Sequence, residues 1–211
     1  MDSETGAYIA ITLVGYLLGS FPTAYVAVRH FAGKDILEYG TGNVGTMNTH
    51  RATNSKPLTI LVLAGDMAKG AVALAAGFAI ASAVGVDTEV GGAVCGVMAV
   101  LGHNYSVFLR FKGGKGIATT APTLLYFTPW LAPVWVAIFF ATVFTTRLMV
   151  LGQIIATVVT PMVAYVLFPE KAPVLYALGA LVFIRHAPRL KSIIQGTEPK
   201  LYYKSRSPDS R

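Results

Sequence analysis

Phe111-Lys112-Gly113-Gly114-Lys115-Gly116 is a doubly cationic turn between two apolar segments, 91–109 and 117–127. Both segments have the composition of membrane helices, so the turn is predicted to lie at a membrane surface. Its glycines let successive backbone N–H groups converge on one point, and the helix expected from Ile117 directs its positive end there. The stretch therefore predicts an anion site, most naturally for phosphate. The alternative is a basic turn that only anchors two helices.

Several other kinds of site are not supported. The turn is not a nucleotide P-loop, because Gly116 follows Gly114-Lys115 and Leu109 replaces that motif's first glycine. The sequence contains no G-x-S-x-G elbow, so a covalent acyl-serine mechanism has no support. Cys95 is the single cysteine, and the 4 histidines lack metal-binding spacing. Neither a metal nor another cofactor is predicted.

The composition indicates that the chain is solvated by lipid. The 211 residues are 54% hydrophobic and 13% charged, with a mean hydropathy of +0.59. A soluble core of this size could not bury so much apolar surface. We expect an all-α, polytopic integral membrane protein with seven transmembrane helices, a single domain over 1–200 and a basic cytoplasmic tail over 201–211. The apolar runs are 8–28, 58–84, 91–109, 117–127, 133–144, 151–168 and 174–184.

The cationic residues predict the orientation of these helices. All 17 Lys and Arg residues except Lys69 and Lys171 fall in loops on one side or in the C-terminal segment. The positive-inside rule places that side in the cytoplasm. An odd number of crossings then puts the N-terminus outside and the C-terminus in the cytoplasm. The net charge of +7 is attributed to this topology and to phosphate affinity, not to nucleic acid.

Two further polar clusters adjoin the membrane on the predicted cytoplasmic side. In 39–51, three glycines alternate with hydroxyl, amide and guanidinium groups, and Arg51 offers a planar fork that suits phosphate oxygens. The alternative is an interfacial turn that satisfies its own backbone. The second cluster runs from His186 to Glu198 and carries Arg189. Its alternative is a solvated anchor after the last helix.

Asp66 and Lys69 are predicted to pair. They lie three residues apart on one face of an apolar helix, where either charge alone would be costly at membrane depth. The pair either fixes this helix against a neighbour or lets Lys69 reach the cytoplasmic mouth.

Taken in order, these motifs resemble the acyl-phosphate:glycerol-3-phosphate acyltransferase family of the bacterial PlsY type, from Gly19 to about Lys200. The matching elements are Gly19-Ser20-x-Pro22, Gly42-Asn43-x-Gly45-x-x-Asn48-x-x-Arg51, Asp66-x-x-Lys69-Gly70, Gly102-His103, the stretch 111–119, and His186 with Gly196-Thr197-Glu198. The resemblance implies a seven-helix, multi-pass protein of the bacterial cytoplasmic membrane with its site at the cytoplasmic face. It implies transfer of a fatty acyl group from acyl phosphate to the 1-hydroxyl of glycerol 3-phosphate, giving lysophosphatidic acid and phosphate. Membrane lipid is the only other partner implied, with no obligate protein partner.

The resemblance also implies roles for individual residues. Catalytic roles fall on His186, Lys115 and Arg51. Phosphate-binding roles fall on Thr41, Gly42, Asn43, Gly45, Asn48, Arg51, Lys112, Gly113, Gly114, Lys115, Gly116 and Arg189, and supporting roles on Ser20, Asp66, Lys69, His103 and Glu198. His186 could be a base, an anion ligand or a structural residue, and a substrate phosphate oxygen could take the proton instead.

Three positions depart from the family pattern. Thr41 stands where the family has serine and keeps the hydroxyl group. Val150 stands where a second serine is expected and has no hydroxyl, and Arg189 stands where asparagine is expected. The acceptor is therefore left open, and a divergent paralogue that acylates another polyol phosphate is one alternative. A small anion transporter and a catalytically silent scaffold are the others. No internal repeat supports the transporter, and the gathered cations argue against the scaffold.

Overall fold

The computed structural model describes residues 2–200, so Met1 and the predicted tail over 201–211 lie outside the described residues. Over 2–200 the chain forms ten α-helices and no strand, which confirms the all-α prediction. The helices are α1 (Ser3–Ser20), α2 (Thr23–Ala32), α3 (Thr46–Thr53), α4 (Lys56–Val84), α5 (Thr88–Asn104), α6 (Ile117–Phe127), α7 (Leu131–Thr146), α8 (Met149–Leu167), α9 (Ala172–His186) and α10 (Leu190–Ile194).

The longer helices have the dimensions and surfaces of membrane helices. Four stretches of the described chain are long and apolar enough to cross a membrane: Ser3–Ala32, Lys56–Val84, Thr88–Leu109 and Met149–Leu167. α6 and α7 are shorter apolar helices. Large side chains such as Phe140, Phe144 and Val166 are exposed, as expected for helix faces that contact lipid. These features are those of an integral membrane protein.

The first predicted segment, 8–28, forms two helices instead of one. α1 and α2 are separated because Pro22 has no N–H to continue the hydrogen-bond ladder. The carbonyl of Phe21 at this break accepts a hydrogen bond of 2.9 Å from Lys69 Nζ on α4. The segment predicted to extend to Leu109 also differs, since α5 ends at Asn104 and a short 3-10 turn follows.

Close helix contacts bring the loops of interest to one end of the bundle. Gly15 and Gly19 of α1 lie so near the backbone of α5 that a Cβ atom at either position would overlap it. Small residues at such contacts let membrane helices approach closely. α5 is joined to α9 by a hydrogen bond of 3.0 Å from Asn104 Nδ2 to the Leu181 carbonyl. The turn before α6 and the segment after α9 therefore lie next to each other.

Candidate anion-binding site

The glycine turn lies directly against the end of α5. The Gly114 N–H donates to the His103 carbonyl at 2.9 Å. A Cβ atom at Gly113 would overlap the backbone of α5, and one at Gly114 would overlap the His103 ring. Gly116 has a φ of 84°, in the left-handed region that favours glycine, and it immediately precedes α6. The positions therefore require glycine for packing and for backbone conformation.

The N–H groups in the first turn of α6 have no carbonyl partner within the helix and point out from its N-terminal end. Gly116 occupies the capping position and has no side chain with which to bond them. The Thr120 N–H is the first to bond within the helix, donating to the Gly116 carbonyl at 2.8 Å. Unpaired N–H groups and the positive end of the helix dipole together favour an anion at this place.

Cationic side chains from three regions of the chain meet beside this turn. Arg189, Arg51 and Arg185 all lie near Lys115, together with the carboxylate of Glu198. Burial, followed by repulsion from Arg189, lowers the pKa of Lys115 to about 8. Arg51 is exposed at the edge of the cluster, and its pKa is lowered by partial desolvation and then by repulsion from Arg189. Because these cations repel one another, a bound anion is favoured among them.

The loop before α3 is braced by its own asparagine. Asn48 Nδ2 donates to the carbonyls of Ile36 (3.1 Å) and Tyr39 (2.9 Å), and Asn48 Oδ1 accepts from the Thr41 N–H at 3.0 Å. The Asn48 side chain is buried. The family resemblance implies a phosphate-binding role for Asn48. In the structure, its side-chain amide holds the shape of the loop before α3, the helix that carries Arg51.

Arg189 is also engaged by another residue of the protein. Its Nε and one terminal nitrogen donate to the two carboxylate oxygens of Glu198, at 2.9 and 2.6 Å. Ser192 Oγ donates to the same carboxylate, and the Glu198 side chain is buried. The predicted phosphate ligand therefore forms a bidentate ion pair that closes the turn after α9.

His186 is buried and both of its ring nitrogens have partners. Nδ1 lies 2.8 Å from the Val182 carbonyl, and Nε2 lies 3.1 Å from the side-chain amide of Gln153 on α8. A carbonyl can only accept, so Nδ1 carries a proton. Gln153 was missed by the sequence analysis, because nothing in the sequence relates it to a residue 33 positions away. Val150 precedes Gln153 by one helical turn.

The supporting residues form a buried polar group under the glycine turn. Lys69 Nζ lies 2.9 Å from Asp66 Oδ1, so the predicted pair forms. His103 Nδ1 lies 3.5 Å from the same oxygen. Ser20 is buried, and its carbonyl accepts a hydrogen bond from Ser106. These contacts tie α1, α4 and α5 together where the glycine turn rests on His103.

The remaining predicted ligands lie at the margin of the cluster. Lys112 and Thr41 are exposed, whereas Gly42, Asn43 and Gly45 are half-buried in the loop before α3. The structure thus brings together Arg51, Lys115, His186, Arg189 and Glu198 from the predicted set. It adds Arg185 and Gln153, and it leaves Lys112 in solvent contact.

An apolar cavity of about 500 Å³ begins beside the cationic cluster. Ile117 and Ala118 line it immediately after Gly116, and Val182 lines it one turn before His186. Its wall along α6 extends to Leu125, which is about 12 Å at 1.5 Å per residue. An amphiphile could place its anionic head at the turn and its apolar tail in this cavity.

The fold and the site define an integral membrane protein with a cationic cluster at one end of a helix bundle, next to an apolar cavity. A family model described as glycerol-3-phosphate acyltransferase matches residues 9–196. The chain belongs to the glycerol-3-phosphate acyltransferase family.

Relatives and solved structures agree with this assignment. The chain is 40% identical to glycerol-3-phosphate acyltransferase 2 of Moorella thermoacetica, over 92% of this chain and 97% of the relative. It is 36% identical to the Synechocystis glycerol-3-phosphate acyltransferase, over 92% and 90% of the two chains. It also resembles the crystal structure of PlsY, an integral membrane glycerol 3-phosphate acyltransferase, in its glycerol 3-phosphate form. The TM-score is 0.79 at 29% identity, covering 92% of this chain and 95% of that one.

Proposed function

We propose that this membrane acyltransferase moves a fatty acyl group from acyl phosphate to the 1-hydroxyl of glycerol 3-phosphate, giving lysophosphatidic acid and inorganic phosphate. Membership of the family supports an acyltransferase that acts in phospholipid synthesis. The observation that carries the proposal is the position of the apolar cavity, whose lining begins at Ile117, directly after the glycine turn of the cationic cluster. An acyl phosphate likewise has an anionic phosphate group attached to an apolar acyl chain, so the two parts match the cluster and the cavity.

The cluster supplies what this reaction needs most. Donor and acceptor both carry phosphate, so cations and backbone N–H groups must offset their mutual repulsion. The acceptor oxygen then attacks the acyl carbonyl carbon, and the carbon–oxygen bond to phosphate breaks. Phosphate is a good leaving group, so aligning the reactants supplies much of the rate enhancement. No covalent enzyme intermediate is needed.

The acceptor hydroxyl must lose its proton in the same step. Because both ring nitrogens of His186 already have protein partners, we favour a substrate phosphate oxygen as the proton acceptor. His186 then serves to order α8 against α9 beside the phosphates. For His186 to act as the base, its contact with Gln153 would first have to break.

The proposal includes the topology predicted from charge. The α1–α2 pair and the six helices α4 to α9 would give seven crossings, and the glycine turn and C-terminus would face the cytoplasm of a bacterial cell. Four of these elements have the length to cross alone. The shorter α6, α7 and α9 would pack against them, since short helices can be accommodated by local thinning of the bilayer.

Acyl transfer by the purified protein tests the function. We expect product from glycerol 3-phosphate with acyl phosphate, and little or none with acyl-CoA. Lys115→Ala and Arg51→Ala should each lower turnover by at least about tenfold, because each removes a charge aimed at phosphate. Lys112→Ala is the matched control in the same turn. Near-normal turnover in both site variants would refute the phosphate assignment.

Val150 and Arg189 bear on which polyol phosphate is the acceptor. Val150 stands one turn from Gln153, at a position where the family has serine, so a hydroxyl is missing there. Arg189 stands where the family has asparagine, and it forms an ion pair with Glu198. One hydrogen bond or charge can change specificity by about 1–3 kcal/mol. Turnover over Michaelis constant should therefore be compared for several polyol phosphates, in the wild type and in Val150→Ser/Arg189→Asn/Glu198→Gln, where the third change avoids leaving the Glu198 carboxylate without its partner. An unchanged preference for glycerol 3-phosphate would exclude a retuned pocket.

A further inference from the structure

Arg185 precedes His186 at the end of α9, and its side chain reaches the glycine turn. Its Nε donates to the Gly114 carbonyl at 2.9 Å, and one terminal nitrogen donates to the Gly113 carbonyl at 3.0 Å. A single planar fork thus holds two consecutive carbonyl groups. A lysine ammonium carries the same charge but has no fixed fork with which to reproduce this geometry.

A tyrosine supports the guanidinium from one face. The Cζ atom of Arg185 lies 5.0 Å from the centroid of the Tyr105 ring, in a cation–π contact. The Tyr105 carbonyl in turn accepts a hydrogen bond of 2.8 Å from the Tyr16 hydroxyl on α1. The position of Arg185 on α9 is therefore set by the residue that follows α5, which is itself held by α1.

These contacts fix the orientation of two peptide groups in the turn. In a trans peptide the C=O and the following N–H point in opposite directions. The 113–114 peptide is held at both ends, by Arg185 at its oxygen and by the His103 carbonyl at its N–H. The 114–115 peptide is held at its oxygen, so the Lys115 N–H points away from the guanidinium. Among the described residues this N–H has no hydrogen-bond acceptor.

We propose that Arg185 is a positioning residue that holds the glycine turn in its anion-binding conformation and does not itself bind the substrate phosphate. This inference rests on the proposed acyl transfer. The carbonyls of Gly113 and Gly114 would repel a phosphate if they turned towards it, and Arg185 keeps them facing α9. The free N–H and the ammonium of Lys115 are then presented to the anion, before substrate arrives, at no further ordering cost.

Two substitutions of Arg185 distinguish the effect of its charge from the effect of its planar geometry. Arg185→Lys keeps the charge and loses the fork, whereas Arg185→Gln loses both. If Arg185 is a positioning residue, each substitution should lower kcat/KM for glycerol 3-phosphate by about tenfold or more. The kcat/KM of Arg185→Lys should be no higher than that of Arg185→Gln. The exposed Arg29→Lys is the matched control and should behave as the wild type. An Arg185→Lys enzyme with wild-type kcat/KM would overturn the proposal.

Amide hydrogen exchange over 105–116 gives a readout that does not depend on activity. Arg185→Lys should speed exchange of the Gly114 amide, and Tyr105→Leu should do so more weakly, whereas Tyr105→Phe keeps the ring and should match the wild type. Unchanged exchange in Arg185→Lys would refute the positioning role, as would faster exchange with full activity. A wild-type protein without acyl transfer would refute the proposed function instead, while the exchange result would still decide whether Arg185 holds the turn.

Discussion

Lys115 should make substrate affinity depend on pH in the range just above neutrality. Burial and neighbouring cations lower its pKa to about 8 in the free protein, against roughly 10.4 for an unperturbed lysine. A bound phosphate favours the ammonium and so raises this pKa. The contribution of Lys115 to binding is therefore complete below pH 8 and is lost as the pH rises towards the pKa of the complex.

The size of the effect follows from the fraction of Lys115 that is protonated before substrate binds. With a pKa of about 8, about nine-tenths of the side chain is charged at pH 7 and about one-tenth at pH 9. If only the ammonium form binds phosphate, the dissociation constant should rise about tenfold between these values, or about 1.4 kcal/mol. The substrate phosphate titrates near pH 6, so it is mostly dianionic between pH 7 and pH 9.

The assay is the Michaelis constant for glycerol 3-phosphate from pH 6.5 to 9.5 at saturating acyl phosphate, corrected for spontaneous donor hydrolysis. Equilibrium binding of glycerol 3-phosphate gives a second measurement without turnover. Lys115→Arg should abolish the dependence, since arginine does not titrate below about pH 12. Lys112→Arg, at an exposed position in the same turn, should retain it. A flat wild-type profile, or the same profile in Lys115→Arg, would refute the reasoning.

Four further outcomes are expected. Cys95→Ala should leave acyl transfer largely intact, because the thiol is buried in helix packing. In that background, cysteines replacing Asp87 and Lys112 should be labelled from opposite sides of the membrane, and labelling from one side would contradict the proposed topology. Gln153→Leu should cost about 1–3 kcal/mol of stability by leaving His186 Nε2 unpaired. Gln153→Glu should favour the imidazolium but leave the acidic limb of the pH–rate profile unchanged, because we assign the proton to a substrate phosphate oxygen; an upward shift of that limb would show that His186 titrates in the rate.

Some of these features can be predicted from sequence because they depend on local chemistry. Pro22 cannot continue a helix, so the break between α1 and α2 follows from the residue itself. Asp66 and Lys69 lie three apart on one helix, and that spacing alone brings them together. The glycine turn was recognisable because its flexible backbone and Lys115 occur between two apolar segments.

Other features required the three-dimensional arrangement. The pairing of Gln153 with His186 exists because α8 and α9 lie side by side, which hydrophobic periodicity does not specify. Arg185 binds backbone carbonyls, and carbonyls have no residue type that a motif could reveal. Asn48 is a residue type that often binds ligands, yet its amide is bonded to the backbone of Ile36, Tyr39 and Thr41.

The ion pair between Arg189 and Glu198 changes how the departure at position 189 should be tested. A free arginine would add a full charge to the anion site, but here its fork is bound to a buried carboxylate at 2.6 and 2.9 Å. Removing one partner of such a pair leaves the buried carboxylate without its bidentate donor, which is destabilising. Arg189→Asn alone would therefore place an unpaired carboxylate next to Lys115 and weaken phosphate binding whatever the acceptor. Combining Arg189→Asn with Glu198→Gln removes the unpaired carboxylate. A change in acceptor preference that persists in the combined variant is therefore caused by the altered pocket and not by an unpaired charge at Glu198.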